Sequence, residues 1–276
     1  MMQKGNKSSG QRDTANENTL PTRPLKLQLE LLEKIVHHET DVMSFKFARG
    51  DASGNSGSQQ KQYLNYKAGQ YSVLNLGTKE DSKGPVRSFT IASSPTEKGF
   101  ILISTRIRDT PFKKKLATLE IGSLATISAP MGKFVLHDDY SKPAVFLSGG
   151  IGVTPFRSMV KYATDIQLPI KITMFDANRN QANIIYKGEF DSWLEINRNL
   201  KIIYTVNEVE ASIEWGGEKG FINTTMLQKY LNSSEIGSSI FYICGPPAMI
   251  TTMKDLLQKE LAVPKEGIKI EEFTGY

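Results

Sequence analysis

What the chain has least of narrows its chemistry first. Among 276 residues there is one cysteine, Cys244, and there are three histidines, two of them adjacent at His37 and His38. A single thiol closes no intrachain disulfide and holds no cysteine-ligated iron–sulfur cluster or zinc ribbon within this chain. The histidines have no metal-ligand spacing, so no metal site is expected. No run of about 18 apolar residues is present, which excludes a transmembrane helix. The opening residues lack the apolar core of a secretory signal, and a reducing, cytoplasmic setting is the expectation. Positive charge is also scarcer than the formal +5 implies: Lys4, Lys7, Arg12, Arg23 and Lys26 stand against Asp13 and Glu17, which leaves +2 for everything after residue 26. A nucleic-acid-binding body is therefore not indicated, while a local basic patch for an acidic partner stays open.

What is present is an ordinary globular composition, 39% hydrophobic and 23% charged, long enough for one large domain or two ordinary ones. Residues 1–24 are rich in Gly, Ser, Asn, Gln and Thr and read as a disordered tail. Short alternating or β-branched segments follow at 27–36, 42–47, 70–76, 87–92, 100–107 and 124–128. Turn clusters separate them, the longest being a polar loop at 50–60 that is expected to be mobile. Six short strands with one small helix suggest an antiparallel β-barrel over residues 25–138. From residue 139 to 276 the pattern becomes strand and helix in alternation: strands at 144–147, 170–175, 202–206, 240–244 and 268–273, helices at 155–163, 189–195, 224–230 and 248–261. That alternation predicts a doubly wound parallel α/β sheet.

Two turns of the second half carry the first chemical signal. The apolar strand at 144–147 runs into Gly149-Gly150-Ile151-Gly152 and then Val153-Thr154-Pro155. Glycines admit a close backbone approach, Thr154 suits an N-cap and Pro155 the first helical position, and the free helix N-terminus favours a pyrophosphate. Taken alone, the same pattern also describes a tight strand-to-helix turn with no ligand. The strand at 240–244 ends similarly, in Cys244-Gly245-Pro246-Pro247. Ligands of doubly wound sheets sit outside the carboxyl ends of strands, so both turns are expected to line one crevice. Cys244 alone reads as a small buried hydrophobe.

In the first half, Arg87-Ser88-Phe89-Thr90 places an arginine, an aromatic ring and a hydroxyl on one segment. In a regular strand Arg87 and Phe89 share a face. Arg87 suits a phosphate, Phe89 a flat ring and Thr90 a ring nitrogen; a solvated arginine beside a core phenylalanine is the plain alternative. Thr110-Pro111-Phe112-Lys113-Lys114-Lys115 reads as a capped helix start, where the lysines are either a solvated face or neighbours of a bound phosphate.

Taken in order, these pieces resemble the ferredoxin–NADP reductase superfamily over nearly everything outside the tail. Tyr66-Lys67-Ala68-Gly69-Gln70-Tyr71 resembles its Gly-Gln barrel segment, and Arg87–Thr90 its Arg-x-Tyr-Ser/Thr flavin motif. Residues 105–116 resemble the segment leading to the flavin pyrophosphate helix. The turns at 149–155 and 244–247 resemble its nucleotide and nicotinamide motifs, and Asp176-Ala177-Asn178-Arg179 the segment near the adenosine ribose.

The resemblance implies FAD and NADPH or NADH as cofactors. It places Arg87, Ser88, Lys113 and Lys114 near the flavin, with Phe89 stacked on its ring and Thr90 near N5. It puts Gly149, Gly150, Gly152, Thr154, Pro155, Asn178, Arg179, Cys244, Gly245 and Pro246 around the dinucleotide. It also makes Tyr276 an aromatic cover on the opposite flavin face. Thr90, Cys244 and Tyr276 would border the reacting atoms. Phe89 stands where the family usually has tyrosine, which removes one hydroxyl and keeps the stacking. The chemistry implied is hydride transfer from nicotinamide to flavin, which needs alignment rather than a side-chain base. The implied partner is a separate one-electron carrier: ferredoxin, flavodoxin or an oxygenase component. A diaphorase-type reductase of quinones, flavins or ferric chelates, and a flavin-binding electron-transfer subunit of a larger complex, are the alternatives.

Overall fold

A computed structural model describes residues 23–52, 62–209 and 214–272. Most of the expected tail, residues 53–60 of the polar loop and Tyr276 lie outside the described residues.

The first six strands are β1 (Leu25–Val36), β2 (Val42–Ala48), β3 (Tyr71–Asn75), β4 (Val86–Thr90), β5 (Phe100–Arg106) and β6 (Leu124–Met131). They form an antiparallel sheet in the order β4-β3-β6-β1-β2-β5. It is nearly closed into a barrel, for β4 and β5 lie side by side without a hydrogen-bonded ladder. The long β1 serves two neighbours, pairing with β6 through its first half and with β2 beyond a bulge at Leu31/Glu33. Its alternate residues Leu27, Leu29 and Leu31 turn inward onto Phe45, Phe47, Ile101, Ile103 and Ile127. Each such fully buried side chain contributes about 1.5–3 kcal/mol. One end of the barrel is covered by α1 (Pro111–Thr118), whose Phe112 and Leu116 join that core. Thr110 caps this helix by accepting the Lys113 N–H at 3.3 Å, and Pro111 opens it.

The second sheet contains β7 (Ala144–Gly149), β8 (Ile172–Asn178), β9 (Leu200–Val206), β10 (Glu218–Lys219), β11 (Ile240–Cys244) and β12 (Ile268–Glu271). All are parallel, in the order β10-β9-β8-β7-β11-β12. The helices α2 (Thr154–Asp165) and α3 (Lys187–Ile196) cover the face toward the barrel. On the other face lie α4 (Thr224–Tyr230), α5 (Ser233–Ser238) and α6 (Pro247–Asp255), the last running into a π-turn at Leu256–Glu260. The sequence pattern misses α5 because its residues, Ser-Ser-Glu-Ile-Gly-Ser, have little apolar period. A reciprocal capping box between Asn232 and Glu235 holds it instead. From β7 the chain builds outward through β8 and β9, then returns to add β11 on β7's other side. The topological switch point therefore falls between β7 and β11.

The two halves share a core. Ala68, Ala92, Leu102 and Phe134 of the barrel side pack with Phe146, Phe156, Tyr186 and Tyr242. At this seam the buried Arg157 of α2 donates to the Ala92 carbonyl at 2.8 Å and to Glu97 at 2.9 Å, and pairs with Glu189 at 2.5 Å. Its guanidinium lies between the Tyr186 and Trp193 rings, 5.3 and 5.6 Å from their centroids.

Candidate active site

The two glycine turns meet at the switch point. A Cβ on Gly149 would lie 2.3 Å from Met249 Sδ and 3.0 Å from Pro246 Cδ. One on Gly245 would lie 2.9 Å from the same sulfur, and one on Gly152 only 2.3 Å from the Cys244 carbonyl oxygen. The two turns expected to line one crevice are thus in direct contact. Gly152 is glycine because the neighbouring turn fills its side-chain space, which differs from the ligand approach expected for it. Gly150, at φ +53°, keeps an open side, where a Cβ would meet only Arg106 Nη2 at 3.1 Å. Residues Gly150–Val153 form a 3-10 turn, so Thr154 is the first residue of α2 rather than its N-cap. Its hydroxyl donates to the Ile151 carbonyl at 3.1 Å, because the tight turn already brings that oxygen within reach. Pro155 follows within the first turn of the helix, as expected.

Just below these turns, the parallel register aligns Tyr204, Asp176, Ser148, Cys244 and Glu271 in one row across β9, β8, β7, β11 and β12. Asp176 is buried; it accepts from Asn178 Nδ2 at 2.9 Å, and burial raises its carboxyl to about 6. Burial, reinforced by Glu271, pushes the Cys244 thiol far up, so this cysteine stays a neutral thiol. Glu271 is itself raised to about 7 by burial.

Glu271 joins the row to the barrel. A Cβ on Gly132, at φ +91°, would lie 3.8 Å from Glu271 Oε2 and 2.8 Å from the Tyr71 ring. Tyr71 pairs across β3 and β4 with Thr90. Thr90 is 4% exposed, and its Oγ1 is buried with no hydrogen-bond partner among the described residues. A hydroxyl held dry and unpaired costs free energy unless a ligand atom completes it.

The other barrel residues cluster around α1. Arg87 and Phe89 share a face, as the strand period predicts, and both meet Phe112: the guanidinium lies 5.1 Å from its ring centroid and the Phe89 ring 6.1 Å. Ser88 points the other way and is exposed. Lys113 is 6% exposed, lies over the Phe89 ring at 4.7 Å and donates to Thr105 Oγ1. Burial, then the charges of Arg87 and Arg108, lower its ammonium to about 8. Lys114 instead faces solvent and pairs with Asp109. The run of lysines is therefore not one solvated face. In the second sheet Arg179 is exposed, and its Nε donates to the Glu208 carboxylate at 3.0 Å. Tyr276 lies outside the described residues.

Known proteins share both halves of this arrangement. The oxidoreductase FAD-binding domain family matches residues 30–136, and the oxidoreductase NAD-binding domain family matches residues 146–255. The chain belongs to the FAD- and NAD-binding oxidoreductases. The F component of the Na(+)-translocating NADH-quinone reductase from Idiomarina loihiensis is 30% identical over 202 residues, covering 69% of this chain and 49% of that protein. The chain thus spans about half the length of the curated relatives it matches. The fold is shared with the flavohem-like FAD/NAD-binding domain of nitric oxide dioxygenase from Vibrio cholerae. The TM-score is 0.74 at 19% identity, covering 90% of this chain and 98% of that one. It is also shared with a ferredoxin NADP+ reductase from Neisseria gonorrhoeae with bound FAD and NADP, at TM-score 0.66 and 18% identity, covering 89% and 98%.

For this oxidoreductase, FAD and NADH or NADPH are the cofactors, and the residues fit them. The unpaired Thr90 hydroxyl, the cations around Phe112 and the open side of Gly150 are features such ligands complete. Two residues of the site are not singled out by the sequence. Arg106, paired with Asp41, reaches from β5 across to the Gly150 turn. Glu271 sits where the barrel meets β12. Arg106 lies within the 105–116 segment and Glu271 within the last expected strand, and each gains its meaning from a wall supplied by the other half of the chain.

Proposed function

We propose that this chain carries out hydride transfer between a nicotinamide dinucleotide and FAD at the seam between barrel and parallel sheet. The observation that carries the reading is the buried Thr90 hydroxyl, which has no partner among the described residues. Tyr71, its neighbour across the β3–β4 ladder, and Glu271 both lie near Gly132, and Glu271 pairs in register with Cys244 of the second sheet. When bound, the flavin supplies the two-electron acceptance and one-electron release that side chains cannot.

The protein's residues bind and align. Thr90 donates its hydroxyl toward the flavin ring, and Phe89 lies against it. Arg87 and Lys113 hold the flavin phosphates. Gly149, Gly150, Thr154, Cys244, Gly245 and Pro246 border the nicotinamide end, with Arg106 beside the dinucleotide phosphates; Asn178 and Arg179 stand at the ribose. Cys244, kept neutral, packs rather than attacks. Glu271, raised to about 7 by burial, is protonated only in part at neutral pH.

Electrons then pass to a one-electron carrier such as ferredoxin, flavodoxin or an oxygenase component; the one cysteine of this sequence ligates no cluster itself. A second reading, the electron-transfer subunit of a larger complex, is favoured by the quinone-reductase subunits that the chain matches over half their length. Among the described residues no helix is long and apolar enough to cross a membrane. Steady-state NADH oxidation by the isolated chain with an artificial acceptor separates the readings: rapid turnover supports a free-standing reductase, and turnover only with added partners supports the subunit.

A further inference from the structure

The start of α1 is the place where a flavin phosphate is expected, yet its own amides are taken. Pro111 has none, the Phe112 N–H donates to Asp81 Oδ2 at 3.0 Å, and the Lys113 N–H donates to Thr110. Asp81 is buried in the turn between β3 and β4. Its Oδ1 accepts the Lys83 N–H at 2.9 Å and pairs with Arg87 Nη2. Arg87 Nη1 is spent on three carbonyls, those of Lys83 at 3.0 Å, Gly84 at 2.9 Å and Val86 at 2.7 Å. One edge of the guanidinium is thereby fixed to its own turn. Its Nε–H has no protein partner among the described residues, and Nη2 bonds Asp81 alone; together Nε and Nη2 make the edge that grips a phosphate bidentately. Beside it stands Lys113, buried and without a carboxylate partner among the described residues.

We propose that Asp81 is a positioning residue for cofactor phosphate: its carboxylate locks Arg87 by the inner edge and closes the helix start, so that the outer fork and Lys113 receive the anion. This rests on the flavin reading above. The phosphate is bound by side chains and not by the helix terminus, and Asp81 acts through Arg87 without touching the ligand. Asp81 also supplies the negative charge that lets two cations stand close together before any ligand arrives.

The test measures the affinity of the flavin-stripped chain for FAD, FMN and riboflavin by fluorescence quenching, in wild type, Asp81→Asn, Arg87→Lys and the double variant. Asp81→Asn keeps one oxygen for the Lys83 or the Phe112 amide and loses the charge that orients Arg87. FAD and FMN are expected to bind about tenfold more weakly or worse in each single variant, with riboflavin, which has no phosphate, unchanged. The double variant should lose little more than either single one, as a coupled pair does. Arg87→Lys keeps the charge without the fork, and Asp81→Ser, which also removes the carboxylate, carries the test if Asp81→Asn does not fold. Unchanged FAD affinity in these variants, an equal loss for riboflavin, or simply additive losses would overturn the assignment while leaving the flavin reading intact. A wild-type chain that binds none of the three would overturn both.

Discussion

Thr90 is the residue on which the flavin reading bears hardest, because its hydroxyl is buried without a partner among the described residues. Thr90→Val removes only the hydroxyl. The flavin-free chain should then be as stable as wild type or slightly more so, since an unsatisfied polar atom is lost. Reduction of bound flavin should slow about tenfold or more if that hydroxyl aligns or polarises the ring. A clear loss of stability with no loss of rate would mean that Thr90 merely packs. Gly152 makes the opposite kind of prediction. With a Cβ 2.3 Å from the Cys244 carbonyl oxygen, Gly152→Ala forces the two turns apart, at a cost of about 1–3 kcal/mol measurable by urea unfolding. At this scale the motif residues were legible as residue types, while their partners were not. That Phe112, Asp81 and Lys113 surround Arg87 follows from how α1 covers the barrel end, which no local pattern encodes. The Thr154 cap failed for a local reason: the preceding residues wind into a 3-10 turn instead of staying extended.

Among the elements, the carboxyl ends of β8 and β12 share one electrostatic character. Asp176, at about 6, and Glu271, at about 7, are both raised by burial, whereas unfolded carboxyls titrate near 4. The folded state therefore favours their protonated forms. Their contribution to stability is fully present below about pH 4 and is lost as pH rises through 6 and 7. Urea unfolding of wild type should show this decline between about pH 4 and 7, and Glu271→Gln should flatten part of it. An identical slope in the variant would contradict the burial of that carboxyl. At the ends of β8 and β9, the Arg179–Glu208 pair sets an acid beside the arginine proposed to stand at the ribose, where it would repel a 2′-phosphate and accept from a free ribose hydroxyl. NADH should accordingly be preferred to NADPH, and Glu208→Gln should shift the ratio of kcat/KM toward NADPH. A ratio that does not move would remove Glu208 from the selection. Strands and helices were readable wherever period and length were strong. The elements missed are the two-residue β10 and the polar α5, held by tertiary pairing and by a capping box.

For the whole molecule, the decisive structure is the seam. The change from strand repetition to strand–helix alternation is a local property and was visible along the chain. The contacts that turn two halves into one site join residues far apart in sequence: Arg106 with Gly150, Gly132 with Glu271, Arg157 with Glu97 and Ala92. Arg157 anchors them. Its removal leaves the largely buried Glu97 without its cation and takes a partner from the more exposed Glu189, so Arg157→Ala should cost about 3–5 kcal/mol in chemical unfolding. A loss below about 1 kcal/mol would show the seam to be held by apolar packing alone.

If this seam aligns nicotinamide with flavin, the flavin absorbance reports it directly. Anaerobic rapid mixing of the FAD-loaded chain with NADH, and with NADPH in parallel, is the measurement. The predicted result is prompt bleaching by NADH, slower bleaching by NADPH, and a slowed phase in Thr90→Val. A chain that holds FAD firmly, yet is reduced by neither nucleotide, would contradict it.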